Sequence, residues 1–307
     1  MQRFYSHGKL LLTGEYVVLD GAKALALPTK FGQMLTVEVL DEPKIKWQSL
    51  DDQDAVWFED EFVLVDEQTI QSQMPHYDRS VSSRLIELLQ AAQHLKPTFL
   101  STKTGYNVTS KLEFPSNWGL GSSSTLINNI AQWAQVDAFA LSNATFGGSG
   151  YDIACAQQHS PIVYERQHTK PKLQPIIFNK AFKNDLFFIH LNQKQDSRES
   201  IKTYQENKTN SKETILKINE ITQDILDCAT LNTFETLIEA HETLIGTVTN
   251  QTPVKQRLFN DYQHAIKSPG GWGGDFILAT GHKKEVHSYF KSKGYHTIMA
   301  FQDIILE

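Results

Sequence analysis

The sequence predicts an α+β fold of two domains, and three observations lead to that prediction. The chain has 307 residues, and a globular domain typically has roughly 150. Hydrophobic residues make up 40% and charged residues 21% of the chain, which is the composition of a protein with a packed core. Strand-like and helix-like patterns occur in both halves. We place an N-terminal domain at 1–175 and a C-terminal domain at 176–307.

The N-terminal half begins with strand patterns and continues with helical ones. Asp20-Gly21 between two apolar segments indicates a hairpin. Alternation of apolar and polar residues predicts strands at Met34–Val39, Val56–Phe58, Phe62–Val65 and Tyr106–Phe114. Apolar spacing of three and four residues predicts helices at Val81–Leu95 and Ser122–Val136.

The C-terminal half alternates between the two kinds of pattern. Two or three helices are predicted between Ser197 and Asn250. Buried strands are predicted at Leu186–Leu191, Phe276–Ala279 and His296–Phe301, and further helices at Lys255–Lys267 and Lys284–Lys293.

Charge and cysteine content exclude several classes of protein. The net charge of −6 argues against a nucleic-acid partner, because such proteins normally carry a basic excess. Cys155 and Cys228 are isolated, which is typical of buried thiols in a reducing compartment. Neither a signal-peptide core nor an apolar run of the roughly 20 residues that span a bilayer occurs. We therefore expect a cytoplasmic protein without a membrane partner.

A glycine- and serine-rich loop at Pro115–Ser124 is the strongest local signal for binding chemistry. It lies between a predicted strand and a predicted helix, so the N–H groups and positive dipole end of that helix suit a phosphate. The serine hydroxyls suit phosphate oxygens or a magnesium ion. On the pattern alone, serines that only cap the helix explain the segment equally well. The lysine of a P-loop is missing after the second glycine.

Three further segments contain residues that are unusual for their surroundings. Asp152 lies between glycine and apolar residues, which suits either a general base or a turn that caps a helix. The cluster Lys267–Asp275 contains four glycines, which indicates a backbone that closely approaches a ligand or another loop. Lys9 enters an apolar strand, where a lysine is usually a solvated strand end.

The order of these four segments resembles that of the galactokinase, homoserine kinase, mevalonate kinase and phosphomevalonate kinase (GHMP) superfamily. The similar segments are Ser6–Gly21 for the first motif, Gly119–Ser124 for the ATP-phosphate motif, Ser149–Ala154 for the catalytic aspartate and Lys267–Asp275 for the third motif. The resemblance implies an N-terminal domain like ribosomal S5 domain 2 and a C-terminal ferredoxin-like α/β-sandwich domain. The active site would lie between the two.

The resemblance also implies roles for individual residues. Asp152 would be the general base for a substrate hydroxyl, and Lys9 would stabilise both the aspartate and the charge that develops during phosphoryl transfer. ATP would be held by Gly119, Leu120, Gly121, Ser122, Ser123 and Ser124, with Ser123 as the Mg²⁺ contact. The substrate would be bound by Glu15, Tyr16, Ser268, Gly270, Gly271, Gly273 and Gly274.

Details within the motifs favour the mevalonate branch of the superfamily. Tyr16 after Glu15 and the sequence Gly273-Gly274-Asp275 resemble phosphomevalonate kinases, with mevalonate kinases a close second. The alternatives are another alcohol kinase, for homoserine or a sugar, and a catalytically silent protein that binds a nucleotide or metabolite. The interval 141–148 lacks the acid that binds magnesium in mevalonate kinases. A monomer and a homodimer are equally compatible with the sequence.

Overall fold

The chain forms two compact units, each assembled from several segments. The computed structural model describes residues 1–66, 69–73, 79–167, 170–193, 201, 204–206, 211–272 and 274–307. The first unit comprises Met1–Gly8, Phe31–Ser116 and Gly121–Gln157. The second unit comprises Lys9–Lys30, Asn117–Leu120 and Gln158–Glu307. The proposed domain boundary at residue 175 stays a prediction.

Strands and helices occur throughout the described residues, as the sequence predicts for an α+β protein. The strands are β1 Gln2–Leu11, β2 Lys23–Leu40, β3 Lys44–Leu50, β4 Val56–Leu64, β5 Ile70–Ser72, β6 Gly105–Leu112, β7 Ile162–Glu165, β8 Lys172–Pro175, β9 Leu186–His190, β10 Ile266–Lys267, β11 Phe276–Thr280 and β12 Ile298–Ala300. The α-helices are α1 Arg79–Leu95, α2 Ser122–Ala134, α3 Ala138–Thr145, α4 Tyr151–Ala156, α5 Ser211–Asp227, α6 Leu231–Thr249, α7 Val254–Leu258, α8 Lys283–Ser292 and α9 Phe301–Ile304.

The first unit packs helices against one face of a mixed sheet. Its strands are ordered β5-β4-β3-β6-β2, with β3 and β6 parallel and the other neighbours antiparallel. Alternate residues of β3, including Ile45 and Trp47, point into the core. Leu85, Leu88 and Leu89 lie on one side of α1 because their spacing matches the helical repeat, and they are buried in the same core. This core also supports α2 and α4.

The second unit contains two groups of antiparallel strands. One consists of the first residues of β2 paired with β7, which in turn pairs with β8. The other is ordered β10-β11-β9-β12 and is antiparallel throughout. Every residue of β9 and β11 is buried, which explains why these strands read as continuous apolar runs in the sequence.

Most predicted elements are confirmed, and the differences have physical reasons. The predicted helix at Lys255–Lys267 is wrong, because α7 ends at Leu258 and Ile266–Lys267 is a strand. The two predicted strands at 56–65 form the single strand β4. The strands flanking Asp20-Gly21 do pair, but a turn of 3-10 helix at Val17–Asp20 lies within their connection. None of the helices in the described ranges has the length and apolar character needed to cross a bilayer.

A close backbone approach at Gly105 yields a prediction about stability. A Cβ atom at this position would lie 1.7 Å from the backbone oxygen of Glu42 and 2.7 Å from that of Lys44. Because neither carbonyl is a flexible side-chain end, Gly105→Ala should lower the free energy of unfolding by about 2 to 3 kcal/mol. The exposed neighbour variant Lys103→Ala should change it by less than about 0.5 kcal/mol. Urea unfolding of the three proteins measures this, and equal midpoints for Gly105→Ala and the unchanged protein would refute it.

Candidate active site

The serine loop leaves the first turn of α2 available for a ligand. Gly121 is the N-cap residue of α2, with φ 89° and ψ 42°, and no side chain caps the helix. Backbone N–H groups at the start of a helix have no partner within the helix. The positive end of the helix dipole adds to their attraction for an anion. This geometry suits a phosphate group.

The three serines of the loop differ in what they can contribute. Ser124 is buried, and its hydroxyl donates a hydrogen bond to the carbonyl oxygen of Gly121, 2.9 Å away. Ser122 is partly exposed and Ser123 is exposed. Ser122 and Ser123 therefore present the hydroxyl groups that are accessible to a ligand, whereas the hydroxyl of Ser124 stabilises the turn.

Gly119 is held close to a carboxylate within the second unit. Its φ of 65° lies in the left-handed region, and a Cβ atom there would lie 2.2 Å from Oδ2 of Asp275. Any other residue would therefore meet both backbone strain and a steric clash. Asp275 is the last residue of the glycine-rich cluster Lys267–Asp275, so this cluster and the serine loop approach each other at Gly119.

Lys9 is anchored to the same loop by two hydrogen bonds. Its Nζ donates to the carbonyl oxygen of Gly119 at 2.9 Å, and its backbone N–H donates to the carbonyl oxygen of Leu120 at 2.9 Å. The side chain is partly exposed. A cation is thereby fixed beside the segment that leads into α2.

Asp152 lies in the first turn of α4, in the first unit. Its Oδ1 accepts a hydrogen bond from the backbone N–H of Ile153 at 3.0 Å, and the residue is partly exposed. Gly150 at the N-cap has a φ of 87°. Helix α4 packs against α2 within this unit. The predicted pairing of Asp152 with Lys9 involves one residue from each unit and stays a prediction.

A buried ionic cluster in the second unit joins the first motif to the third. The Nζ of Lys267 donates to Oε1 of Glu15 and, at 3.1 Å, to Oε1 of Glu242 on α6. Glu242 also accepts hydrogen bonds from the backbone N–H and the hydroxyl of Ser268, each at 3.1 Å. Side chains of all three charged residues are at most 3% exposed. Glu15 and Ser268, both predicted to bind substrate, are thus fixed by one lysine.

The cluster contains two carboxylates and one ammonium group, and its pKa values reflect this imbalance. Burial raises the pKa of Glu15 to about 7, although the Lys267 ammonium counteracts the effect. Burial also raises the pKa of Glu242. Burial alone would lower the pKa of Lys267, but the two carboxylates outweigh it, and that pKa lies above its ordinary value.

His241 completes the cluster as a neutral group. Its Nε2 accepts a hydrogen bond from the backbone N–H of Gly14 at 3.0 Å. Burial and the nearby Lys267 hold the pKa of His241 well below its usual range. Oε2 of Glu15 lies 3.3 Å from the same nitrogen and has no hydrogen-bond partner among the described residues.

Tyr16 provides a second link between the two motifs. Its hydroxyl accepts a hydrogen bond from the backbone N–H of Trp272 at 3.0 Å, and both residues are buried in one apolar cluster. Gly270 has a φ of 84° and open space beside its Cα. Gly271 is partly exposed and Gly274 is buried. Gly273 lies outside the described residues.

Sequence reasoning missed the partners of Glu15. His241 and Glu242 lie in the middle of α6. Lys267 was identified only as the first residue of the glycine-rich cluster. A signal was present, because Lys267 follows the apolar Ala265-Ile266 directly and a lysine in that position is rarely buried without a partner. The partners themselves are too distant in sequence for any local pattern to identify.

The residues present fit a nucleotide better than they fit a dedicated metal site. The uncapped α2 terminus and the hydroxyls of Ser122 and Ser123 are suitable for phosphate oxygens. Within the described ranges, no three His, Cys, Asp or Glu side chains cluster closely enough to hold a metal ion. Mg²⁺ usually keeps several waters and binds through substrate phosphates, so Ser123 remains the candidate protein ligand.

No protein-family model matches the sequence, and no curated protein sequence matches it significantly. Solved structures, in contrast, match over nearly the whole chain. Streptococcus pneumoniae phosphomevalonate kinase, in complex with phosphomevalonate and AMPPNP, has a TM-score of 0.70 and 15% identity, covering 97% of this chain and 99% of that one. Methanococcus jannaschii mevalonate kinase has a TM-score of 0.68 and 13% identity, covering 97% and 96%. Lactococcus lactis galactokinase, complexed with galactose, has a TM-score of 0.69 and 14% identity, covering 99% and 93%. At such identities the likeness establishes the fold.

The pKa of Glu15 predicts how stability depends on pH. The folded value of about 7 exceeds the ordinary 4.5, so the folded state binds more protons than the unfolded state between these values. The stability that Glu15 contributes is therefore fully present below pH 4.5 and is lost as the pH rises through 7. The loss amounts to roughly 3 kcal/mol at most. His241 titrates in the opposite sense below pH 6.5, since its folded pKa is lowered.

Comparison with Glu15→Gln isolates the contribution of Glu15, because glutamine mimics the protonated acid and does not titrate. The melting temperature of the unchanged protein should fall more steeply between pH 5 and 8 than that of the variant. Above pH 8 the two curves should run parallel. Parallel curves over the whole range would show that Glu15 is already ionised at pH 5 in the folded protein.

Proposed function

We propose, from the premise that the chain has the fold of the GHMP kinases, that it is an ATP-dependent kinase of a small-molecule alcohol. One observation gives this proposal its main support. The glycine-rich loop and the uncapped terminus of α2 form a phosphate-binding arrangement at the position where the sequence resembles the ATP-phosphate motif. A catalytically silent protein that binds a nucleotide would share this feature, and activity measurements separate the two.

Backbone groups of the loop would perform most of the binding. The first N–H groups of α2 would donate to phosphate oxygens, and Ser122 and Ser123 would add hydroxyl donors. ATP would be the donor of the phosphoryl group, and Ser123 would be the residue to hold a Mg²⁺ ion, which would supply neutralisation of the charge on the phosphates. Phosphoryl transfer requires positioning and charge stabilisation more than covalent catalysis.

Lys9 and Asp152 would perform the two remaining tasks. Lys9 would stabilise developing negative charge near the loop, because its Nζ is already fixed on the carbonyl oxygen of Gly119. Asp152 would accept the proton of the substrate hydroxyl, and its partly exposed carboxylate is accessible for this purpose. A lysine within reach of the aspartate would keep it ionised.

Mevalonate or 5-phosphomevalonate is the substrate that we propose first. Two of the three structural neighbours described above act, by their names, on these compounds, and Tyr16 and Gly274-Asp275 resemble phosphomevalonate kinases. A sugar or homoserine kinase is the second candidate, favoured by the likeness to a galactokinase. Cytoplasmic location follows from the sequence argument alone and is part of the proposal.

A cavity in the second unit offers a place for the acidic group of such a substrate. Its volume is about 160 Å³, and it is lined by Gln251, Thr252, Val254, Arg257, Ser268 and Trp272. The side chain of Arg257 makes no hydrogen bond or ion pair with any described residue. Ser268 belongs to the third motif. An unpaired guanidinium beside hydroxyl and amide groups suits a carboxylate or a phosphate.

Turnover with candidate alcohols tests the proposed activity. Purified protein with ATP and Mg²⁺ should release ADP when offered mevalonate or 5-phosphomevalonate. Asp152→Asn should lower kcat by about a hundredfold or more, because the general base is lost. Homoserine and galactose serve as the comparison substrates. ATP binding without turnover on any of the four compounds would favour the silent protein, and turnover on galactose alone would transfer the assignment to a sugar kinase.

Arg257→Gln tests the assignment of the cavity. The variant should raise the KM for the acidic substrate by about tenfold and leave the KM for ATP unchanged, since only one ligand loses a charged contact. Lys255→Gln is the matched control, because Lys255 lies two residues away and its Nζ is paired with Glu239 at 2.7 Å. Equal effects of the two variants on the KM for the acidic substrate would exclude the cavity as its binding place.

A further inference from the structure

A series of side-chain hydrogen bonds in the first unit links β2, β1, α2 and the end of α4. It begins at the backbone oxygen of Gln33, which accepts from Nδ2 of Asn129 at 2.8 Å. Oδ1 of Asn129 accepts from the hydroxyl of Ser6 at 2.7 Å. Ser6 and Asn129 are completely buried. Polar groups in such a position are retained at the expense of apolar packing, so their hydrogen bonds must all be made.

The series of hydrogen bonds continues to the end of α4. The hydroxyl oxygen of Ser6 accepts from Nδ2 of Asn128 at 2.8 Å. Oδ1 of Asn128 accepts from Nε2 of Gln157 at 3.0 Å. Asn128 is 1% exposed, whereas Gln157 is exposed. The last member can therefore be changed without opening the core.

The backbone carbonyl of Gln33 sets the donor and acceptor of every hydrogen bond in this series. A backbone carbonyl can only accept, so Asn129 must turn its NH₂ group towards Gln33 and its oxygen towards Ser6. Ser6 has one hydroxyl hydrogen and must give it to Asn129, so its oxygen must accept from the NH₂ group of Asn128. The oxygen of Asn128 then faces residue 157. Residue 157 must consequently be a hydrogen-bond donor.

These residues connect β1, α2 and α4, and the last two carry the proposed phosphate-binding terminus and the proposed general base of this unit. Ser6 lies in β1, three residues before Lys9. Asn128 lies in α2, within two turns of the serine loop. Gln157 directly follows α4, which carries Asp152 and has only six residues. Ile153 packs in the same core as Ile127 and Ile130, and the hydrogen bond from Gln157 adds a directional contact to this apolar packing.

We propose that Gln157 and Asn128 are positioning residues, which fix α4 and hence Asp152 relative to the phosphate-binding end of α2. This inference rests on the proposed kinase function. The hydrogen bond between the two amides joins the end of α4 to the middle of α2. Displacing a catalytic group by about 1 Å can reduce a rate by about a hundredfold. A directional bond therefore adds a constraint that packing alone lacks.

Three substitutions at position 157 test the proposal by the donor requirement. Gln157→Lys keeps a donor and should retain kcat within about twofold. Gln157→Met removes the donor, and Gln157→Glu presents an acceptor to the oxygen of Asn128; both should lower kcat about fivefold or more, Glu most strongly. The KM for ATP should remain within about twofold in all three, because the N–H groups of α2 are unchanged. The Met and Glu variants should also melt a few degrees lower, because the buried Oδ1 of Asn128 loses its donor, so kcat is compared at a temperature well below every melting transition.

A second measurement does not depend on activity. Amide hydrogen exchange of residues 151–156 should be faster in Gln157→Glu and Gln157→Met than in the unchanged protein or Gln157→Lys. Similar kcat values and exchange rates for the Lys and Glu variants would overturn the proposal. If the unchanged protein phosphorylates none of the alcohols offered, the kinase assignment fails, and the exchange rates still decide whether Gln157 holds α4.

Discussion

The ammonium group of Lys267 is buried between the carboxylates of Glu15 and Glu242, and the loops of the second unit depend on this contact. Removing Lys267 would leave two buried carboxylates without a cation, and breaking a buried ion pair typically costs about 3 to 5 kcal/mol. Glu15 belongs to the first motif and Lys267 is the first residue of the third, so one ammonium group holds these two motifs together. Further contacts link the same segments, from Tyr16 to Trp272 and between Gly119 and Asp275.

The first unit achieves a similar result without charge. There, Asn128, Asn129 and Ser6, which are neutral, are joined by buried hydrogen bonds. A neutral network is insensitive to pH near neutrality, whereas an ionic cluster with a carboxyl pKa of about 7 is not. The two units thus contain buried polar clusters of different kinds, and the charge of the ionic cluster changes near neutral pH.

Local patterns were sufficient for most elements but not for the support of the site. Periodicity predicts α1 and the second half of β2, because each has one buried face. It fails at Lys255–Lys267, where apolar residues at helical spacing instead serve an irregular segment whose Phe259 and Tyr262 fill the core. The glycine-rich segments were identified by composition. The Glu15–Lys267 contact joins positions 252 residues apart, and no local signal specifies such a pair.

Burial of Lys267 also determines how the lysines of this protein respond to amine-reactive reagents. Acylation requires a neutral amine that a reagent can reach, and Lys267 is 0% exposed with a pKa above its ordinary value. Lys9 is partly exposed, although its Nζ is bound to Gly119. In a labelling experiment, modification of Lys9 reports on the accessibility of the serine loop in the folded protein. Modification of Lys267 requires Glu15 and Glu242 to separate, and its rate therefore measures how often the second unit opens.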